Sequence, residues 1–490
     1  MGDSYLAFDL GASSVRTVLG RLADGHLEIQ QLQSAPNEIV NLRGSLHWNV
    51  LGIYQEMLKA MKACASEHTR SPVSAGVDTW GIDFGLLDAR GNLVGAPFCY
   101  RDKRTQGIME EVFQRIPRKR LHELTGLEFR PIHTIFQLYF MVRDGNPQLE
   151  IARDLLFMPD LFAYFLTGAR KSEFTEVTTS QLYNPRTGGW EDEIFRALGL
   201  PRNLMQEIVP SDAITGHLSQ EVSALTGLEQ VPVVAGASHD TAAAVAAVPA
   251  ENDDFVFISS GTWSLMGIES AAPIINEKTL EYHIANQGGA GGTFMVLKNI
   301  TGLWLLEQCR REWAKTSAYS AADLVSLAAE AAPLGAAVDP DHPAFLSPPS
   351  MPQAIAGYCR ERGQAVPETP GQFVRVILES LALAYRHTLE RLEEVSGRQY
   401  ARIHIVGGGS QNGLLCQFAA DATGRPVYAG PAEATSMGNI LVQAMAIGRI
   451  ADLSQLREVV RGSVKVKTFT PRTDSYWDRM YRKSVQLRQA

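Results

Sequence analysis

The chain has 490 residues, 45 % of them apolar and 20 % charged, with a formal net charge of −8. That balance describes a globular protein of roughly two to four domains, at about 150 residues each. No block of five Lys/Arg residues occurs, so nothing favours nucleic acid or an anionic membrane surface, and no run of 18 apolar residues is present to span a bilayer.

Alternating apolar patterns predict strands over residues 5–9, 15–22 and about 26–33, joined as a meander. The first turn reads Asp9-Leu10-Gly11-Ala12-Ser13-Ser14-Val15-Arg16. Small residues there let backbone N–H groups approach an anion, and Asp9 offers a hard oxygen suited to Mg²⁺. The same run reads equally as an ordinary hairpin with a polar tip. Helical spacing follows over 51–64, then short buried strands over 75–78 and 85–88, with Ala89-Arg90-Gly91-Asn92 as a turn. A helix is expected over 155–166, ending at Gly168. Residues 148–226 otherwise mix helical and turn signals without a clear period. An apolar strand, Pro232-Val233-Val234-Ala235-Gly236, leads into Ser238-His239-Asp240-Thr241 and a small-residue helix over 242–247.

Pro249 and the acidic Glu251-Asn252-Asp253-Asp254 mark a boundary, which sets the expected domains at 1–246 and 247–490. A second hairpin opens the latter: Phe255-Val256-Phe257-Ile258 turns through Ser259-Ser260-Gly261-Thr262 into Trp263-Ser264-Leu265-Met266. Two strand–turn–strand units about 250 residues apart point to two structurally similar halves. Residues 344–371 are rich in Pro and Gly and read as an irregular excursion. A long amphipathic helix over 378–395 ends at Gly397, and a buried strand over 403–406 feeds Gly407-Gly408-Gly409 before a helix over 413–423. Five scattered cysteines with no C-x-x-C argue against a disulfide framework or a zinc site and fit a reducing, cytoplasmic setting. The N-terminus shows no basic segment followed by an apolar core, so no leader is expected.

Several nucleotide motifs are missing. No G-x-x-x-x-G-K-[ST] occurs, and the triple glycine misses the dinucleotide fingerprint because Asn412 stands at its third glycine. That run is either a tight strand-to-helix turn or a backbone shelf for adenosine or phosphate. Ser238-His239-Asp240 cannot be a hydrolase triad, since adjacent residues do not face one another. Asp240 reads either as a helix cap or as a single catalytic base. Asp78-Thr79-Trp80-Gly81-Ile82-Asp83 and Tyr100-Arg101-Asp102-Lys103-Arg104 suit a polyol, with carboxylates and guanidinium for hydroxyls and an indole for the C–H face. The bland alternative is turn acids and a solvated basic loop. Asn299 lies among apolar residues and needs a partner.

Taken together and in order, these runs resemble the FGGY family of carbohydrate kinases. The matching segments are Asp9-Leu10-Gly11-Ala12-Ser13-Ser14, Asp78-Thr79-Trp80-Gly81-Ile82-Asp83, Tyr100-Arg101-Asp102, Ser238-His239-Asp240-Thr241, Ser259-Ser260-Gly261-Thr262-Trp263-Ser264, Lys298-Asn299-Ile300 and His404-Ile405-Val406-Gly407-Gly408-Gly409. The resemblance implies an α/β protein of two ribonuclease-H-like, actin-like ATPase domains with a cleft between them, the first binding sugar and the second nucleotide. It implies ATP-dependent phosphorylation of a ketose, with ATP and Mg²⁺ as cofactors and a monomer or small homo-oligomer as the working form.

Asp240 would be the general base. Gly81, Asp83, His239, Thr241 and Asn299 would join it at the sugar. Ala12, Ser13, Ser14, Val15 and Arg16 would face the phosphates, with Thr262 as their counterpart. Gly407 and Gly408 would hold adenosine, Glu307 a ribose hydroxyl, and Asp9 the metal. Val15 and Glu307 depart from the residues common at those places, Gly and Gln. The sugar the resemblance implies is L-rhamnulose, with another ketose such as L-fuculose or xylulose, or a non-catalytic nucleotide or sugar sensor, as the alternatives.

Overall fold

The computed structural model describes residues 2–67 and 71–489. Residues 1 and 490, the outer limits of the two expected domains, lie outside them. The chain forms two compact units. The first comprises Met1–Ala247, Glu269–Val296 and Ala434–Ser463, and the second Val248–Ile268, Leu297–Glu433 and Val464–Ala490.

The first unit is built on a six-stranded sheet. Its strands are β1 (Asp3–Leu10), β2 (Ser14–Ala23), β3 (His26–Pro36), β4 (Ser74–Thr79), β5 (Ile214–His217) and β6 (Pro232–Val234). They run in the order β5-β6-β4-β1-β2-β3. The expected meander is β1, β2 and β3, paired antiparallel, while β4 lies parallel to β1 on its other edge. From Tyr5 to Leu10 every residue of β1 is buried, as a central strand covered on both faces must be. Helix α1 (Val50–Glu67) turns Ile53, Met57, Ala60, Met61 and Cys64 inward, the spacing read from the sequence.

Two further helices frame the functional end of this sheet: α2 (Asp240–Ala246) and α3 (Ala434–Ala446). They lie close because α2 is made of small residues and α3 carries Gly438, where an added Cβ would fall 1.8 Å from the Ala243 carbonyl oxygen. The helix expected over 155–166 is shorter than its pattern. Asp154–Phe157 is a strand paired with Phe84–Leu87, and the helix runs Met158–Thr167 with Gly168 in the left-handed region at its end. A four-residue apolar run suits either element, and the strand partner decides it.

In the second unit, β7 (Phe255–Ser260) pairs antiparallel with β8 (Trp263–Ser270) and parallel with β9 (Arg402–Val406). Beyond β9 lie β10 (Val427–Ala429) and then β11 (Lys467–Phe469). The long helix begins eight residues before the expected start, as Pro370–Ser396. A capping box between Thr369 and Gln372, with Pro370 in the first turn, sets that start. The stretch 344–371 is not wholly irregular. It holds the helix Met351–Glu361, capped by Ser350, with Met351, Ile355, Tyr358 and Cys359 inward. Its Pro sits in the first turn, where a missing N–H costs nothing.

Candidate active site

Sheet register brings the first unit's acids together. Asp9 at the end of β1 stands opposite Arg16 on β2 and, across the other edge, opposite Asp78 on β4. Arg16 donates to Asp9 Oδ2 at 2.5 Å, and the Ser436 hydroxyl donates to the same oxygen at 2.9 Å. Asp78 is fully buried; Asn439 donates to its Oδ2 at 2.6 Å, and its Oδ1 has no partner. Burial raises the Asp9 carboxyl against the pull of Arg16, and burial followed by the nearby Asp9 charge raises Asp78 well above the ordinary range. Asp240 adds to the repulsion at both.

Asp9, Asp78 and Asp240 are thus neighbouring carboxyl groups, with Arg16 paired to Asp9 and one oxygen of Asp78 left without a partner. Among the described residues no three His, Cys, Asp or Glu side chains are arranged to enclose a metal ion. Asp9 and Asp78 offer carboxylate oxygens, the hard donor type that Mg²⁺ takes.

Asp240 opens α2 at the end of the β6 segment. Thr79 N–H donates to the Ser238 carbonyl at 2.9 Å, so the chain before Asp240 continues the sheet beside β4. The Asp240 side chain is 37 % exposed, and His239 Nε2 lies 3.5 Å from its Oδ1. An acid in a helix's first turn is favoured by the dipole. Here burial outweighs that effect and raises the Asp240 carboxyl to about 6, while it lowers His239 to about 4 and so leaves the ring neutral. His239 Nδ1 is buried without a partner. Thr241 donates to Asp240 Oδ1 at 3.2 Å.

The turn after β4 faces the same place. Gly81 is held so near Thr179 that a Cβ would lie 3.1 Å from its methyl group. Asp83 is fully buried and accepts from Trp48 Nε1 at 2.6 Å, Trp80 Nε1 at 3.1 Å, the Tyr100 N–H at 3.0 Å and Gln137 Nε2 at 2.8 Å. With those donors around it, this carboxylate organises the Trp48–Trp80 pair, whose rings lie 4.0 Å apart, and leaves no free face of its own. Burial raises it to about 6. Arg104 donates to Gln137 at 2.5 Å and stacks on Phe98, so part of the basic loop is built into the fold.

The phosphate-type turn is ordered by a residue that has no obvious signal. Asn37 donates from its backbone to the Ser13 carbonyl at 3.1 Å and from its side chain to the Gly11 carbonyl at 2.9 Å. Ala12 and Ser14 are half-buried and Ser13 is exposed, whereas Val15 is buried in the core. Only the backbone of Val15 can therefore meet a ligand.

In the second unit Thr262 is exposed at the tip of the β7–β8 hairpin, which is closed by a Gly261 N–H bond to the Trp263 carbonyl at 2.8 Å. The glycine run packs onto this hairpin. Gly407 has φ +79°, and a Cβ on Gly409 would fall 2.0 Å from Ser260 Oγ, so neither place admits a side chain without movement. Gly408 is exposed. Asn299 is half-buried on the strand Phe294–Thr301. Glu307 is engaged by Arg310 at 2.8 Å and Arg311 at 2.9 Å on its own helix.

The first unit thus gathers Asp9, Ala12, Ser13, Ser14, Val15, Arg16, Gly81, Asp83, His239, Asp240 and Thr241, and the second holds Thr262, Asn299, Glu307, Gly407 and Gly408. Ser436, Asn439 and Gln443 were not foreseen. They occupy one face of α3 at i, i+3 and i+7, and Gln443 bonds to Asn439, the Leu6 carbonyl and Ser74. Three polar residues at helical spacing within an apolar helix were the available signal.

Residues 4–246 match the N-terminal domain, and residues 256–447 the C-terminal domain, of the FGGY family of carbohydrate kinases. The chain belongs to this family and is an ATP-dependent sugar kinase. It is 43 % identical to a rhamnulokinase of Bacteroides thetaiotaomicron over 98 % of both chains. It is 38 % identical to a rhamnulokinase of Oceanobacillus iheyensis, over 96 % of this chain and 98 % of that one. Among solved structures, gluconate kinase from Lactobacillus acidophilus superposes with a TM-score of 0.82 at 13 % identity, over 100 % of this chain and 98 % of that one. Xylulose kinase from Rhodospirillum rubrum does so at 0.80 and 20 % identity, over 99 % and 98 %. These last two speak to the fold alone.

Proposed function

We propose that the chain transfers the γ-phosphate of ATP to the primary hydroxyl of L-rhamnulose, giving L-rhamnulose 1-phosphate and ADP. The observation that carries the choice of sugar is the 43 % identity to a rhamnulokinase along 98 % of both chains. We place the reaction in the cytoplasm, which suits ATP and the five buried, unpaired cysteines.

Asp240 is the general base. It is ionised above about pH 6, is partly open to solvent, and takes the hydroxyl proton as the phosphoryl group departs from ADP. His239, neutral at this pH, offers a ring nitrogen to a sugar hydroxyl. Thr241, Gly81 and Asn299 complete the sugar contacts, while Asp83 acts on the sugar through Trp80 and Gln137. The backbone of Ala12, Ser13, Ser14 and Val15, with the Arg16 side chain, receives phosphate oxygens, and Thr262 does the same from the second hairpin. Gly407 and Gly408 form the shelf for adenosine, and Glu307, held by Arg310 and Arg311, accepts from a ribose hydroxyl. Asp9, with Asp78 behind it, holds Mg²⁺, whose charge offsets that of the phosphates when bound. Orientation and charge neutralisation supply most of the rate in such a transfer.

A coupled ADP-release assay over L-rhamnulose, L-fuculose and xylulose tests the substrate. The highest kcat/KM is expected with L-rhamnulose; a preference for another ketose by tenfold or more refutes the choice of sugar. Asp240→Asn is expected to lower kcat by at least ~10²-fold with little change in KM, the scale of a lost general base.

A further inference from the structure

Residues 172–181 have no part in the chemistry above, yet they are polar and deeply buried: Glu173, Thr175, Glu176, Ser180 and Gln181 expose none of their surface. Glu173 Oε2 is the centre of this segment. It accepts from the N–H groups of Thr175 at 2.9 Å and Glu176 at 3.2 Å, which caps a single helical turn. It also accepts from the Thr175 hydroxyl at 2.5 Å, from the Ser238 hydroxyl at 2.7 Å and from the Ser238 N–H at 3.3 Å. The Thr175 oxygen in turn accepts from the His239 N–H at 3.1 Å.

A Ser, Thr or Asn would cap that turn without burying a charge. Burying a carboxylate that has no cation beside it is costly, and, on top of their own burial, the Glu173 charge in turn raises the neighbouring Asp160 and Glu176 carboxyls. What the longer glutamate adds is reach: it spans from the cap to Ser238, two residues before Asp240, while Thr175 takes the His239 N–H.

The same segment grips the opposite turn. Glu176 Oε1 and Thr179 Oγ1 accept from the Ile82 N–H at 3.0 and 3.1 Å, and the Thr134 hydroxyl donates to the Ile82 carbonyl at 2.6 Å. Ile82 has φ +73°, a conformation that costs a β-branched residue about 1–3 kcal/mol and persists only where its surroundings impose it. One buried segment therefore braces both the Gly81–Ile82 turn and the Ser238–His239 turn.

We propose that Glu173 is a positioning residue for Asp240, acting through the Ser238 hydroxyl and Thr175 to fix the backbone turn from which the base projects. This rests on the reading of Asp240 as the base. The test compares Glu173→Ala, Glu173→Gln, Ser238→Ala and Asp240→Asn in the full chain, with kcat normalised to folded protein by circular dichroism. Glu173→Ala is expected to lower kcat at least tenfold with KM for ATP unchanged within threefold. Glu173→Gln keeps an acceptor oxygen in place and should restore kcat to within threefold of the parent. Ser238→Ala should lower kcat three- to tenfold. A purely structural role would lower the melting temperature and leave kcat per folded molecule intact.

A Glu173→Ala enzyme within twofold of the parent kcat overturns the proposal, as does a Gln variant as impaired as Ala. If Glu173→Ala does not fold, Ser238→Ala decides alone, and an unchanged kcat there overturns it. Near-parental kcat in Asp240→Asn would instead remove the base assignment itself, whatever the Glu173 variants do.

Discussion

Gly438→Ala is the smallest change that should reach the chemistry through the backbone. Gly438 lies on α3 against α2, and its new methyl group would sit 1.8 Å from the Ala243 carbonyl oxygen and 2.6 Å from the carbonyl carbon. Ordinary contact begins near 3.4 Å, so the two helices must part by about 1.5 Å. Neither atom belongs to a side chain that can rotate away. Overpacking of this kind costs about 3 kcal/mol at the upper end of its usual range, and alanine returns about 1 kcal/mol in helix propensity. The net destabilisation is about 2 kcal/mol, or roughly 4 °C in the melting of the first unit.

The larger effect is geometric. Helix α2 begins at Asp240, and a displacement near 1 Å at a reacting group costs on the order of 10²-fold in rate. The expected kcat is about 10- to 100-fold below the parent at saturating sugar and ATP, measured by coupled ADP release well below the melting transition. Gly357→Ala is the control. It also lies within a helix, where an added Cβ meets nothing within 4 Å, and should gain about 1 kcal/mol without altering kcat. A Gly438→Ala enzyme with lowered stability and parental kcat would refute the link between α2 packing and the base.

The Asp240 carboxyl, raised to about 6, must be ionised to accept a proton, so kcat/KM should fall as pH drops through about 6. A profile flat to pH 5 would contradict this. Thr262→Val should raise KM for ATP about three- to tenfold, the scale of one hydrogen bond, and leave KM for sugar unaltered. Unchanged ATP kinetics would take Thr262 out of the site. Burial raises Glu173 to about 7 from an ordinary 4.5. The folded protein therefore binds this proton more tightly than the unfolded chain, and the parent loses stability as pH rises between 4.5 and 7. Glu173→Gln does not titrate. Its stability relative to the parent should grow across that window by up to about 3 kcal/mol, read from urea unfolding at pH 5 and pH 8. A difference independent of pH would show that Glu173 carries no such shift.

The placement of the candidate site residues was legible where they sit near the ends of strands. Asp9 and Asp78 lie near the ends of apolar runs that form buried strands, and Asp240 opens the helix that follows a third. The two hairpins were legible for a related reason, since small residues between alternating apolar runs have few other uses. The brace around Glu173 was not. Its carboxylates are buried, and a sequence pattern reads Lys-Ser-Glu-Phe-Thr-Glu at 171–176 as surface. The helix Met351–Glu361 was hidden by the prolines around it, one of which merely starts it.

By itself the sequence determined the main strands, the two hairpins and the kinship with the FGGY kinases, because these depend on local period and on residues adjacent in the chain. Only the tertiary structure decided which polar groups answer those acids. Ser436 reaches Asp9 from 427 residues away and Asn439 reaches Asp78 from 361. No local pattern encodes such a pairing. A buried carboxylate must be satisfied by whatever donor the fold delivers, and that delivery is set by how α3 crosses the sheet of the first unit.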